Sequence, residues 1–181
     1  MNIKNLSNVR TVAAVGVMAA TLECGKLVLS FLPNVEVVSI LCALFGYVFG
    51  PAGVVASFIF VLIEPLIWGF GPWFITYLIY WPCLTALFML LGRRNAKSRI
   101  KITLVAVGMT FLFGILSSVI DCGMYIGFTR YYFKNLPLYY IRGLSFYITQ
   151  IACNAVLFFS VFLLLADRLG MIKKRMNLDK K

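Results

Sequence analysis

An all-α integral membrane bundle of six transmembrane helices is the fold this sequence predicts, and three observations carry that expectation. Of 181 residues, 62% are hydrophobic and the mean hydropathy is +0.94, which leaves too few polar side chains to cover a water-facing surface. Leu, Ala, Val, Ile and Phe run on without the period-two alternation of a membrane β-barrel. Lys and Arg gather in short stretches between the apolar runs. At roughly 20 residues per span, the helices fall at about 11–31, 36–49, 52–67, 73–91, 103–125 and 140–166. The whole of 1–181 is then one domain, closed by a basic tail over 167–181.

The first apolar run, from Val12 to Leu32, follows Lys4 and Arg10 as a signal peptide would. It is longer than a signal h-region, carries Glu23 and Lys26 and lacks a distinct cleavage site, so a retained helix is expected. Glu23 and Lys26 stand three apart on one face and can neutralise each other or meet a ligand. Ala13, Gly16, Ala19 and Ala20 form a face of small residues, with small-xxx-small spacing from Gly16 to Ala20. Such a face admits a close helix neighbour, inside the fold or outside it.

Segments two and three are separated by Gly50-Pro51-Ala52-Gly53, which permits a tight reversal or a bend in one long element. Roughly 31 residues from Val35 to Pro65 exceed one ordinary span, which favours two helices. Glu64 closes segment three before Pro65, and Asp121 lies late in segment five. Both are expected near the outer surface, lining a cavity or reaching interfacial water. Between segments three and four lies an aromatic run, Trp68-Gly69-Phe70-Gly71-Pro72-Trp73, continued by Tyr77, Tyr80 and Trp81. Gly69, Gly71 and Pro72 make it a shaped turn. It either stacks on a flat heterocycle or packs rigidly at the interface. In segment six, Gly143, Tyr147, Gln150 and Asn154 fall on one helical stripe, with Arg142 about a turn above Tyr147. Two carboxamides on one stripe are expected to face protein, for interhelical hydrogen bonding or for recognition of a polar ligand. The cysteines, Cys24, Cys42, Cys83, Cys122 and Cys153, show no paired spacing and are expected to be packing residues.

Orientation follows from the basic residues. Lys4 and Arg10, then Arg93, Arg94, Lys97, Arg99 and Lys101, then Arg168, Lys173, Lys174, Arg175, Lys180 and Lys181 put 13 of 17 on one side of a six-span drawing. That side is expected to be cytoplasmic, with both termini in it. The net charge of +11 is thereby assigned to topology and anionic headgroups, not to nucleic acid. Apart from Asp167 and Asp179 in the basic tail, the remaining charges, Glu23, Lys26, Glu36, Glu64, Asp121, Arg130, Lys134 and Arg142, fall on the outer side or in the outer half of the spans, where function is sought.

The sequence argues against an enzyme. It has no histidine, no phosphate-binding glycine loop with Lys and Ser or Thr, no paired-Asp metal motif and no Gly-x-Ser-x-Gly turn. No catalytic residues, metal or cofactor are expected. Six short spans without internal repeats also disfavour a stand-alone inverted-repeat transporter.

The chain resembles the substrate-binding S component of energy-coupling factor (ECF) vitamin transporters in length, six helices, cytoplasmic ends and a small-residue Ala-x-x-x-Ala motif in helix one. Here the motif reads Gly16-Val17-Met18-Ala19-Ala20, with Gly in the first position. Leu32-Pro33-Asn34-Val35-Glu36-Val37-Val38-Ser39 and Trp68-Gly69-Phe70-Gly71-Pro72-Trp73 are similar to outer loops of some members. The resemblance implies a receptor in the cell membrane that captures a vitamin in a pocket under the outer halves of helices four to six. It further implies partners: a transmembrane coupling protein and two cytoplasmic ATPase subunits, whose ATP hydrolysis topples the receptor to release ligand inside. The docking role is carried onto Gly16 and Ala20. By chemistry and position the candidate pocket residues are Glu64, Trp68, Trp73, Tyr77, Asp121, Arg142, Tyr147, Gln150 and Asn154. Aromatic loops with carboxamides suit a flat vitamin such as riboflavin, thiamin, a pyridoxine-like compound or a folate, with a larger corrinoid still among the alternatives. The rival from another class is a non-transporting structural or assembly subunit, whose buried polar residues only knit helices together.

Overall fold

A computed structural model describes residues 8–32 and 35–176. Lys4, Lys180 and Lys181 of the charge pattern, and Pro33 and Asn34 of the first loop, lie outside the described residues. Within them are seven helices and no strands: α1 (Val9–Val28), α2 (Val38–Phe49), α3 (Pro51–Trp68), α4 (Pro72–Arg93), α5 (Arg99–Ile126), α6 (Tyr132–Ser160) and α7 (Phe162–Arg175). Five of them, α1, α3, α4, α5 and α6, are long and apolar enough to cross a membrane, which fits a multi-pass membrane protein.

The short α2 is the hub. It packs against α1, α3, α4, α6 and α7, and nine of its 12 residues are buried, as expected of a helix that is apolar on every side. Its approach to α4 is close enough that a Cβ on Gly46 would overlap the Thr85 carbonyl. Gly50, at φ 64°, makes the reversal into α3, so the tight turn holds and the single bent element does not. On the other side of the bundle α5 and α6 run together, and α4 joins them to the α2 and α3 group.

Two expected segments differ from the structure. The second begins at 38, not 36, which leaves Glu36 in the connection ahead of α2. The sixth, drawn at 140–166, is two helices. α6 starts at Tyr132 and carries Pro137 inside it as its sixth residue, at the loss of one intrahelical hydrogen bond. It stops at Val161, where the chain turns so that Phe162 is fully buried among Tyr47, Phe88 and Phe158, at ring distances of 5.5, 5.4 and 5.3 Å. The expected basic tail is therefore largely helix: α7 lies on α2 and carries Arg168, Lys173, Lys174 and Arg175.

Chain direction alternates through these helices, so one end of the bundle holds Arg10, the α4–α5 turn from Arg93 to Lys101, and α7. Tyr47 at the foot of α2 ties that end together by donating to the Ala96 carbonyl at 2.9 Å. Lys26, Trp68 and Trp73 lie at the opposite end.

Candidate functional site

Twelve residues make α2 about 18 Å long, against about 30 Å for a full span. The connection ahead of it therefore descends into the bundle and takes Glu36 with it. Glu36 closes the exposed N-terminus of α2: its carboxylate accepts from the Ser39 N–H at 2.8 Å and from Ser39 Oγ at 2.5 Å. The same carboxylate faces α6, where Gln150 Nε2 and Asn154 Nδ2 both lie 3.4 Å from Oε1. Asn154 also donates to Thr110 Oγ1 on α5 at 3.0 Å, leaving its own Oδ1 unpartnered.

Above Glu36 is a cavity of about 310 Å³ that reaches from the end opposite the basic residues toward mid-bundle. Lys26 of α1, Glu36, Trp68 of α3, Tyr77 and Trp81 of α4, Phe113 of α5 and Gln150 of α6 line it, with Leu29, Ser30, Leu32, Val35 and Val38. One wall is an edge-to-face aromatic ladder at helical i, i+4 spacing. Trp73 to Tyr77 is 5.2 Å between centroids and Tyr77 to Trp81 is 5.6 Å, with Phe113 at 6.3 Å from Tyr77 and 6.2 Å from Trp81. Trp81 is buried with its indole N–H unpartnered.

Lys26 forms an ion pair with Glu64 of α3. Glu64, not Glu23, is thus the acid at ion-pair distance, with Glu23 close enough to feel the same ammonium. Glu64 lies near the end of α3 away from the basic residues but buried, without the expected reach to interfacial water. The α3 helix runs on through Pro65 to Trp68, which holds Glu64 fully buried behind the cavity wall. The ammonium also sits over three rings, 5.6 Å from Trp68, 5.8 Å from Trp73 and 4.9 Å from Tyr77. Glu23 is buried beside Glu64 and Lys26, with neither carboxylate oxygen hydrogen-bonded, and Glu64 Oε1 is unpartnered as well.

The candidate residues fall into several places. Trp68, Tyr77 and Gln150 line the cavity, Trp73 stacks on its aromatic wall, and Glu64 and Asn154 lie behind it. Asp121, Arg142 and Tyr147 are elsewhere, in a second cavity of about 710 Å³ between α5 and α6, shared with Ser117, Tyr125, Tyr139 and Phe146. No ion pair joins Asp121 to Arg142, whose guanidinium lies 5.8 Å from the Tyr139 ring. Tyr147 spans the α5–α6 seam, with its hydroxyl 3.3 Å from Ser118 Oγ. Phe113 borders both cavities. Gly16 and Ala20 lie on the exposed face of α1, nearer the basic end, and a Cβ built on Gly16 meets nothing within 4 Å. Ala19, on the same expected small face, is buried instead.

Of the charged and aromatic lining residues, four were outside the expected set: Lys26, Glu36, Trp81 and Phe113. Trp81 had a legible signal, since Trp73, Tyr77 and Trp81 repeat every four residues. No family model, curated protein or solved structure matches the chain. The functional reading therefore rests on geometry and chemistry.

Proposed function

We propose that this chain is the substrate-binding S component of an ECF-type transporter, a multi-pass protein of the cell membrane that captures a vitamin or related micronutrient on the outer side. One observation carries the reading: polar and aromatic side chains from α1, α3, α4, α5 and α6 converge on one cavity at the end away from the basic residues. Under the positive-inside rule the basic end is cytoplasmic, so this cavity opens outward. In this placement the segment 29–37 is irregular backbone at membrane depth, which is tolerated where it lines a cavity or is buried in protein. The exposed Gly16 and Ala20 face supports docking of a transmembrane coupling protein, with two ATPase subunits supplying the energy. Beside it, Ala13 and Val17 of α1 border an apolar groove shared with α2 and α7.

The structural-subunit reading draws on the Lys26–Glu64 pair and the Asn154–Thr110 bond, which do knit helices together. Ligand capture separates the two. Purified protein is screened for thermal stabilisation by a vitamin panel, and mass spectrometry identifies any molecule that copurifies. A ligand at 100 times its Kd stabilises by about 2.7 kcal/mol. A receptor gives a clear shift with one compound. Absence of any shift, with no copurification of ATPase subunits on coexpression, supports the structural subunit.

A further inference from the structure

Charge balance around the cavity defines what it takes. Four ionisable groups meet there: Lys26 and Glu36 on the lining, Glu23 and Glu64 behind Lys26. Three are acids and one is a base. The lysine is already committed, ion-paired with Glu64 and held over Trp68, Trp73 and Tyr77. Glu36 has no cation within ion-pair distance among the described residues. Its oxygens are held by Ser39 and by two long contacts from Gln150 and Asn154. Arg142 is no substitute, since it lines the second cavity, beyond Phe113.

The unpartnered atoms point the same way. Asn154 Oδ1, beside Glu36, is a buried acceptor without a donor. The Glu23 and Glu64 carboxyls, by contrast, lie within hydrogen-bonding reach of each other and one proton can serve that pair, which leaves Glu36 as the carboxylate without a counter-charge. Donors are present as well, the Trp81 indole N–H on the lining and the buried Tyr80 hydroxyl near Glu36 and Ser39. What lacks compensation is the charge of Glu36, and a buried carboxylate without a counter-ion is costly until something brings positive charge to it. The aromatic wall provides for such a guest, because ring faces attract cations and stack on flat rings.

Resting on the receptor reading above, we infer that the ligand is a flat heterocyclic cation, anchored by a charge-assisted contact to Glu36 and stacked against Tyr77, Trp81 and Phe113. A cavity of about 310 Å³ lies at the small end of the range of small-molecule pockets.

The chain has three tryptophans, Trp68, Trp73 and Trp81, and all belong to this site, so intrinsic fluorescence reports on it alone. The test uses three ligands built on one pyridine ring, 1-methylnicotinamide (cation, larger by one methyl group), nicotinamide (neutral) and nicotinate (anion). Each is titrated into purified protein and into the Glu36→Gln variant, and the unfolding midpoint is followed in parallel. The cation is expected to bind saturably, about ten- to a hundredfold tighter than the neutral isostere. Glu36→Gln is expected to erase that preference, its amide oxygen still accepting from the Ser39 N–H and its NH2 donating to Ser39 Oγ in place of the lost carboxylate oxygen. Should that variant fold poorly, Glu36→Asp keeps the charge but draws it back from the cavity, and is expected to reduce the cation preference while leaving nicotinamide affinity unchanged; a cation preference unaltered by Glu36→Asp counts against the anchor. Equal or tighter binding of nicotinamide overturns the inference, and tighter binding of nicotinate transfers the anchor to Lys26. A cation preference that survives Glu36→Gln overturns it too. No saturable binding by any of the three also overturns it, while the vitamin panel decides separately whether the receptor reading stands.

Discussion

Lys26 is the most sensitive single point of this end of the bundle, and the structure says why removing it is worse than removing its partner. The lysine faces two buried carboxylates, paired with Glu64 and adjacent to Glu23. Lys26→Met leaves both acids buried with no cation, whereas Glu64→Gln leaves the lysine with Glu23 and three aromatic faces. Deleting one partner of a buried pair costs about 3–5 kcal/mol. The Lys26 side chain is 24% exposed, so solvent relieves part of this and the lower figure, about 3 kcal/mol, applies. Glu64→Gln keeps an acceptor at the same place and is expected to cost about 1 kcal/mol. For a chain of this size those losses lower the melting temperature by about 6–12 °C and about 2–4 °C respectively. Thermal unfolding in one detergent, followed by tryptophan fluorescence, compares the two variants directly. An equal or larger shift for Glu64→Gln would falsify the assignment of Lys26 as the shared counter-ion of both acids.

Other substitutions separate packing from function. Gly46→Val places a side chain in the Thr85 carbonyl at the α2–α4 crossing, and overpacking there is expected to cost about 3 kcal/mol or prevent folding, seen as loss of monodisperse protein in gel filtration. Gly16→Leu with Ala20→Leu projects into open space, so the melting temperature and ligand affinity are expected to hold while uptake in cells is lost; equal loss of affinity and uptake would make this face part of the internal fold. Trp73→Ala and Asn154→Ala are each expected to weaken ligand binding about tenfold, the first by loosening the aromatic ladder and the second by freeing Glu36 and Thr110. Unaltered affinity in both removes the cavity as the binding site. Asp121→Asn and Arg142→Ala line the other cavity and are expected to leave that affinity within about twofold by isothermal titration; a large loss would make the two cavities one site.

The helices were legible because hydropathy and proline or glycine punctuation act locally. The Gly50-Pro51 reversal is set by a positive φ at Gly50 and a proline at the first helical position, both properties of the residues themselves. The break at Val161 was not legible. Ser160 is the single polar residue in Phe158 to Leu165 and, with no glycine or proline beside it, marks no helix end on its own; the chain turns there because Phe162 has a place among Tyr47 and Phe88, residues more than 70 positions away. A pattern along one helix carries no record of such a partner.

The site divides by the same rule. The α4 part of its aromatic wall is encoded by the spacing of Trp73, Tyr77 and Trp81, while Phe113 joins it from α5 with no such signal, and the burial of Gln150 and Asn154 follows from a stripe on α6 alone. Ion pairing depends on which helices are neighbours. Glu23 is closer to Lys26 in sequence than Glu64 is, yet α1 lies against α3 and the lysine takes the acid across that contact. Glu36 illustrates the further step, since its position follows from a length: because α2 stops at twelve residues, its preceding loop must enter the bundle, and a carboxylate that looks like a surface charge becomes a wall of the cavity. Extending α2 by one helical turn between Glu36 and Val38 is therefore expected to lift Glu36 away from Gln150 and Asn154 and abolish ligand binding, while the helix content measured by circular dichroism stays the same or rises slightly.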